Sequence, residues 1–124
     1  MSWKLDSDRP IHTQLQEILQ TQIASGALPP GSKMKSVREL ATEAGVNPNT
    51  MQRAFAELER LNLIRTERTA GRFVTEDAAR IAVAKDEIAM AQLELFRKKM
   101  KQLGFEKKEI VDFVRSKWEE EEDG

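Results

Sequence analysis

The chain has 124 residues, with 20 Lys and Arg against 21 Asp and Glu, one His and no Cys. This length accommodates one small domain, with or without a short appendage, and excludes a barrel enzyme or a two-domain transporter. Disulfides, cysteine-rich metal clusters and multi-histidine metal sites are also excluded. No apolar run approaches the ~18 residues that span a membrane, and residues 1–6 lack a signal-peptide core. We therefore expect a cytoplasmic protein with no cofactor, metal or membrane partner.

The charge is distributed unevenly along the chain. Residues 1–75 carry 10 basic and 8 acidic side chains, whereas residues 76–124 carry 10 basic and 13 acidic ones. Five of those acids form the terminal run 119–123. This asymmetry permits the first part of the chain to bind nucleic acid, although it does not require it.

The first predicted element is an amphipathic helix over residues 10–25. Pro10 suits a first helical turn, and Gly26 stands where a C-terminal glycine is common. One helical face carries the recurring apolar residues Ile11, Leu15, Ile18, Leu19 and Ile23.

A second and a third helix are predicted on either side of Gly45. Ser36 stands three residues before Glu39, which is the spacing of a capping box at a helix start. Asn47 and Pro48 are typical of the cap and the first position of the third helix. Two short helices joined by a tight turn that contains glycine indicate a helix-turn-helix.

The third helix has two distinct faces. The apolar face is expected to carry Met51, Ala54, Phe55, Leu58 and Leu61. On a helical wheel of about 100° per residue, the opposite face carries Asn49, Gln52, Arg53, Ala56 and Arg60.

The residues after the third helix predict a β-hairpin. Residues 64–67 and 72–75 are two short β-prone runs, and the four residues between them include Gly71. A hairpin directly after a helix-turn-helix is typical of a winged helix. The predicted fold is therefore mainly α with a small β wing, and residues 1–76 form the winged-helix domain.

Residues 77–118 are predicted to form two further helices separated by Gly104. The first of them carries two neighbouring apolar stripes, which together are too wide for one small helix to cover. The last helix, 106–118, could cover them within one chain, or a second copy could do so. We expect both, and assign dimerisation to Ile88, Ala91, Leu95, Phe96 and Met100. Residues 119–124 are expected to be a frayed acidic tail, unless they compete with DNA for basic residues.

Several motifs together resemble the DNA-binding domain of GntR-type bacterial regulators. They are Pro10-Ile11-His12 with Gln14-Leu15, Leu28-Pro29-Pro30-Gly31, Ser36-Val37-Arg38-Glu39-Leu40-Ala41, Gly45-Val46-Asn47 and Gly71-Arg72-Phe73-Val74. The run from Val46 to Ala54 and the short helical C-terminal part resemble the YtrA-type branch in particular. Thr69 and Arg72 depart from the family's wing pattern, where a glycine and a serine or threonine are usual.

The resemblance implies a sequence-specific regulator of double-stranded DNA. Phosphate contacts supply affinity, and specificity comes from base contacts such as Asn or Gln to adenine and Arg to guanine. Pro48 and Gln52 stand where the wider family has arginines in its recognition helix, so base preference does not transfer from those relatives. The sequence has no nucleophile–base pair or phosphate-binding glycine loop that would indicate an enzyme. The predicted DNA-binding residues are Arg38, Asn47, Asn49, Thr50, Gln52, Arg53, Thr69, Gly71 and Arg72.

Most of these residues also have a purely structural alternative. The Asn47 oxygen can simply cap a helix, and Gly71 can be a turn residue with positive φ. The polar Asn49 and Gln52, and the flexible charge of Arg72, can be plain exposed side chains. Surface ion pairs, which contribute little stability, could engage Arg38 with Glu39 or Glu43, and Arg53 with Glu57.

The leading hypothesis is a homodimeric repressor that binds a palindromic operator of its own operon. A two-fold symmetric pair of winged helices would read two half-sites about one helical turn apart. The YtrA-type resemblance suggests a transporter operon. The C-terminal helices leave little room to enclose a small molecule, and no effector is indicated. The alternative is a protein-interaction module without DNA affinity, which would lack the steep salt dependence of a DNA binder.

Overall fold

The computed structural model describes residues 2–123, and their side chains as far as Glu121. The predicted fold, five helices with a two-stranded antiparallel wing between the third and the fourth, is confirmed. In chain order the elements are α1 Ile11–Ser25, α2 Val37–Ala44, α3 Pro48–Arg60, β1 Ile64–Glu67, β2 Gly71–Val74, α4 Ala78–Gln102 and α5 Lys107–Asp123. The chain divides into two compact units between Asp86 and Glu87, within α4. The predicted domain boundary at residue 76 lies just before α4 begins.

The core of the first unit forms where α1 and α2 pack against α3. The apolar faces predicted for these helices point into it, and Leu15, Leu19 and Phe55 are fully buried. Full burial of one such side chain contributes about 1.5–3 kcal/mol. This core fixes the orientation of α3, so the polar side of that helix faces outward.

Local capping explains where α2 begins and ends. The Glu39 N–H donates to the Ser36 hydroxyl at 3.1 Å, and the Ser36 N–H donates to the Glu39 carboxylate at 3.2 Å. The predicted capping box is therefore confirmed. Gly45 ends the helix with φ of 72°, a left-handed conformation that glycine adopts without steric cost. The turn between α2 and α3 is tight for this reason.

Gln14 is a buried polar residue that ties the N-terminal segment to α1. Its side-chain oxygen accepts the Asp6 N–H at 2.7 Å, and its amide group donates to the carbonyls of Asp6 at 2.7 Å and Arg9 at 2.9 Å. A buried amide is tolerated only when such partners satisfy it. Gln14 thus holds the segment that carries Trp3 and Leu5, which pack against the core.

The wing, residues 64–74, is a hairpin in which Ile64 pairs with Val74 and Glu67 pairs with Gly71. A third short segment lies along β2, with a bridge between Lys33 and Phe73. The backbone N–H of Met34 donates to the Arg72 carbonyl, and that of Val74 donates to the Ser32 carbonyl, both at 2.9 Å. The wing is therefore supported by the segment that precedes α2.

The second unit contains the C-terminal part of α4, from Glu87 onward, and the whole of α5. Met100 and Ile110 are buried in it, and the rings of Phe105 and Phe113 meet edge to face at 5.7 Å. No helix among residues 2–123 is long and apolar enough to cross a bilayer.

The end of the last helix differs from the prediction. The expected helix stops at Trp118 and a frayed tail follows, but α5 continues through Asp123. Glutamate is a good helix former, and Lys117 pairs with Glu120 one turn later at 3.2 Å. These local effects extend the helix beyond its apolar part.

Candidate nucleic-acid interface

The outer face of α3 presents polar side chains in the predicted arrangement. Asn49, Gln52 and Arg53 are exposed in the first half of the helix, next to exposed Ala56. Met51 and Phe55 on the inner side are fully buried, so the helix cannot rotate without disrupting the core. The face is therefore rigidly mounted and free of bulky apolar groups.

Asn47 acts as the cap of α3. Its side-chain oxygen accepts the backbone N–H of Asn49 at 2.8 Å, which confirms the capping alternative. The N–H of Thr50, a half-buried residue, donates to the Asn47 carbonyl at 3.0 Å. The side chains of Asn49 and Gln52 make no hydrogen bond within residues 2–121, so they are available to an external partner.

Arg38 is exposed in the first turn of α2, and its two proposed carboxylate partners are engaged elsewhere. Glu39 belongs to the capping box, and the hydrogen bond from the Ser36 backbone holds the pKa of that carboxyl below its ordinary value. The Glu43 carboxylate pairs with Lys35, whose Nζ lies 3.6 Å from its Oε2 atom. The ion-pair alternative for Arg38 is therefore wrong in the part of the chain that the structure describes.

Arg53 is likewise exposed, and the alternative of a pairing with Glu57 is wrong within residues 2–121. The Arg60 side chain instead donates hydrogen bonds to the Glu57 carboxylate, and the Arg60 Nε lies 3.0 Å from both carboxylate oxygens. This contact lowers the pKa of Glu57. Arg53 thus has no ion pair within residues 2–121 and can serve an external anion.

Arg72 is not the flexible charge that the sequence suggests. Its Nε donates to Glu59 of α3 at 2.9 Å, and its guanidinium lies 5.4 Å from the centre of the Phe55 ring. Thr66 of β1 donates to the same Glu59 oxygen at 2.8 Å. The hydrogen bond from Arg72 is the main cause of a lowered pKa for Glu59. Arg72 therefore fastens the wing to α3.

Gly71 lies at the start of β2 with φ of 104°, which favours glycine. A Cβ atom at this position would lie 3.3 Å from the Cε atom of Lys33, which is a tight contact. Thr69 is exposed in the turn just before it. The alternative that Gly71 is a turn residue with positive φ is confirmed. The close approach of the Lys33 side chain to Gly71 was not predicted from the sequence.

Two cations near the wing were missed by sequence reasoning. Lys33 and Arg68 are both exposed, and neither has an ion pair within residues 2–121. Arg68 could have been inferred from its place in the hairpin turn. Lys33 could not, because its position depends on the pairing with Phe73, 40 residues later.

The residues predicted for dimerisation divide between different environments. Phe96 lines a groove between α4 and α5, and Met100 is buried with only 7% of its surface exposed. Ile88 is half-buried, and Ala91 is exposed. Leu95 is 60% exposed, a large apolar side chain with no cover in the described chain.

Together, a tight helix-turn-helix, an outward polar face on its second helix and an attached β wing define a winged-helix DNA-binding protein. The chain belongs to the gntR family of bacterial regulatory proteins, whose sequence profile matches residues 11–74. It is a DNA-binding transcriptional regulator, and members of this family are transcription factors rather than enzymes.

Individual relatives agree with this assignment. The chain is 37% identical over 116 residues to the uncharacterized HTH-type transcriptional regulator YhcF of Bacillus subtilis (strain 168), covering 94% of this chain and 96% of YhcF. It is 35% identical over 97 residues to the HTH-type transcriptional repressor YtrA of the same organism, covering 78% and 70%. A GntR family transcriptional regulator from Listeria monocytogenes has a similar structure, with 41% identity, a TM-score of 0.83 and coverage of 90% and 98%.

Proposed function

We propose that the protein is a homodimeric repressor that binds a palindromic operator of its own operon, in the cytoplasm where bacterial DNA lies. The similarity to YtrA, which is named a repressor, supports the sign of regulation. A repressor acts by occupying DNA that polymerase needs, so no catalytic residue is required. The similarity to the YtrA-type branch also supports a transporter operon as the target.

The observation that carries the proposal is the set of unpaired groups around α3. We infer that Asn49, Thr50 and Gln52 face base edges in the major groove, since they lie in the first turns of α3, whose polar face points away from the core. Arg53 and Arg38 contact phosphates on either side of these bases. Both guanidinium groups are available, because the nearby carboxylates of Glu57 and Glu43 pair with Arg60 and Lys35 instead. Asn47 contributes by fixing the start of the helix.

The wing supplies a second contact region. Gly71 lets the backbone come close to the duplex, with Thr69 beside it in the turn. The exposed cations Arg68 and Lys33 are suited to phosphates or to the minor groove. Arg72 positions the wing against α3, since its Nε donates a hydrogen bond to Glu59.

Dimerisation is proposed for the second unit because it exposes large apolar side chains. Leu95 on α4 and Trp118 on α5 are 60% and 67% exposed. Ile88, Ala91 and Phe96 extend this surface, whereas Met100 is buried and contributes little to it. Exposed apolar patches of this kind mark association surfaces.

The decisive experiment is selection of bound fragments from a random duplex pool. A palindrome with half-sites about one helical turn apart is the expected result. A pool without enrichment would contradict sequence-specific binding. Affinity for the selected site, measured between about 50 and 200 mM salt, should fall steeply as counterions are released. Affinity that is absent or independent of salt would favour the protein-interaction alternative.

A further inference from the structure

A groove runs between the C-terminal half of α4 and α5, with a volume of about 650 Å³. Apolar side chains make up its floor, namely Leu93, Phe96, Ile110, Val111 and Val114. Its rim is mainly basic, with Arg97, Lys101, Lys107 and Arg115 around the single acid Glu94. An occupant must therefore offer apolar surface together with negative charge.

The charges at the C-terminal end of α5 oppose its own helix dipole. The first turn is mixed, because Lys107 and Lys108 begin the helix and are followed by Glu109, whose carboxylate accepts the Glu106 N–H at 3.0 Å. Glu119, Glu120 and Glu121 lie near its end, where the dipole favours positive side chains. A second helix running in the opposite direction would compensate the acidic end, because it would bring Lys107 and Lys108 close to it.

One face of α5 has the symmetry that such a pairing needs. Val111, Val114 and Trp118 follow helical spacing and are 47%, 38% and 67% exposed. Lys107 and Glu121 lie on the same face, one seven residues before Val114 and the other seven residues after it. Both are exposed, and neither has an ion pair within residues 2–121. An antiparallel copy centred on Val114 would therefore set opposite charges against each other at both ends.

We propose that two copies of α5 pack antiparallel across a two-fold axis at Val114, each closing the groove of the other. Lys107 of one copy then lies against the partner's Glu121, and Trp118 lies over the partner's Val111. A closed two-fold interface repeats every contact, so each ion pair occurs twice. This inference rests on the proposed homodimer and specifies its direction and centre.

The absence of cysteine from the sequence makes a cross-linking test direct. Full-length Lys107→Cys and Glu121→Cys chains are oxidised separately and as an exchanged equimolar mixture. Positions 107 and 121 are about 21 Å apart along the helix, and a disulfide requires Cα atoms within about 7 Å. The antiparallel arrangement predicts a cross-link between copies in the mixture and none in either chain alone.

The other outcomes overturn the inference in different ways. Cross-links only within the separate samples would show parallel helices. A chain that sediments as a dimer without any cross-link would pair through another surface and leave the groove to another occupant. A monomer that still shifts the selected duplex would refute the dimer but not DNA binding. A monomer that ignores duplex DNA would refute the proposed function as well.

Charge reversal gives an independent measurement. Lys107→Glu and Glu121→Lys should each raise the dimer Kd about tenfold in sedimentation equilibrium, since both symmetric pairs become repulsive. The double variant should return to within about twofold of the original chain. Asp112→Lys, with the same charge change as Glu121→Lys on another face of α5, should leave the Kd unchanged. Additive losses in the double variant would overturn the proposed pairing.

Discussion

Glu59 of α3 joins the wing to α3 through Arg72, whose Nε lies 2.9 Å from a Glu59 carboxylate oxygen. The two residues are 13 positions apart, with β1 and the turn between them. Since Thr66 donates to the same oxygen, both strands are attached to one carboxylate. The spacing between α3 and the wing is therefore set in part by a single acidic side chain.

Replacing Glu59 should loosen the wing. Glu59→Gln is expected to lower the free energy of unfolding by about 1 kcal/mol or less at pH 7, because both side chains are about one third exposed and solvent screens the pair. The folded state lowers the pKa of Glu59, so the stabilisation is complete above the ordinary value of 4.5. It is lost as the pH falls through the lower value in the folded state.

Urea unfolding at neutral pH and at about pH 3 checks this expectation. The difference between the original chain and Glu59→Gln should shrink in acid. Glu43→Gln is a control, because Glu43 faces Lys35 rather than the wing. Identical stability of the original and Glu59→Gln chains at neutral pH would contradict the anchoring role.

Gln52→Ala and Asn49→Ala should each cost on the order of 1–3 kcal/mol of binding free energy on the selected site. The reason is that an amide in register with a base edge contributes discrimination at one position. Fluorescence anisotropy with the selected and a scrambled duplex measures both affinities. Equal losses on the two duplexes would remove these residues from base reading.

Arg53→Ala should weaken binding to all sequences alike and reduce the slope of log affinity against log salt by about one. Lys33→Ala should also weaken binding to all sequences, because the proposed wing contact places Lys33 near the DNA phosphates. Arg60→Ala is a matched control on α3, since Arg60 is already paired with Glu57. A loss confined to the selected duplex would assign Arg53 to base recognition instead.

Gln14→Met should destabilise the first unit by about 2 kcal/mol, because it removes a buried amide and leaves backbone groups of Asp6 and Arg9 without partners. Thermal unfolding should show a lower Tm. Gln16→Met provides the comparison, since the Gln16 side chain forms no hydrogen bond within residues 2–121 except the one that it donates to the Gln20 side chain. A Tm shift no larger than that of Gln16→Met would disprove the tether.

Leu95→Asp should convert the proposed dimer to monomers, because a carboxylate would replace an apolar side chain at the proposed contact surface. Sedimentation velocity measures the outcome. Val83→Asp alters a similarly exposed residue outside the second unit and should leave the dimer intact. An intact Leu95→Asp dimer would exclude the α4 stripe from the interface.

Local sequence signals were sufficient for the helix-turn-helix. The caps at Ser36 and Asn47 and the glycine at position 45 depend on neighbours within four residues, so spacing alone identified them. The buried face of α3 followed from its helical period. The orientation of the candidate DNA-binding face was therefore predictable before any tertiary contact was known.

Contacts between distant residues were not predictable in this way. The engagement of Arg72 by Glu59 and the approach of Lys33 to Gly71 both depend on how the wing docks. Gln14 was recognisable as part of a motif, but its role required the path of the N-terminal segment. Pattern analysis finds which residues face outward, whereas their ionic partners emerge only from the folded chain.

The segment that lies along β2 has a mechanical consequence. Hydrogen bonds from Met34 and Val74 join it to the hairpin, and only two residues separate Met34 from the first residue of α2, Val37. A tilt of the hairpin against a curved duplex must therefore pull on the start of α2, where Arg38 projects. We therefore expect that an adjustment of the wing at its proposed DNA contact is transmitted through the backbone to Arg38, the proposed phosphate contact on α2.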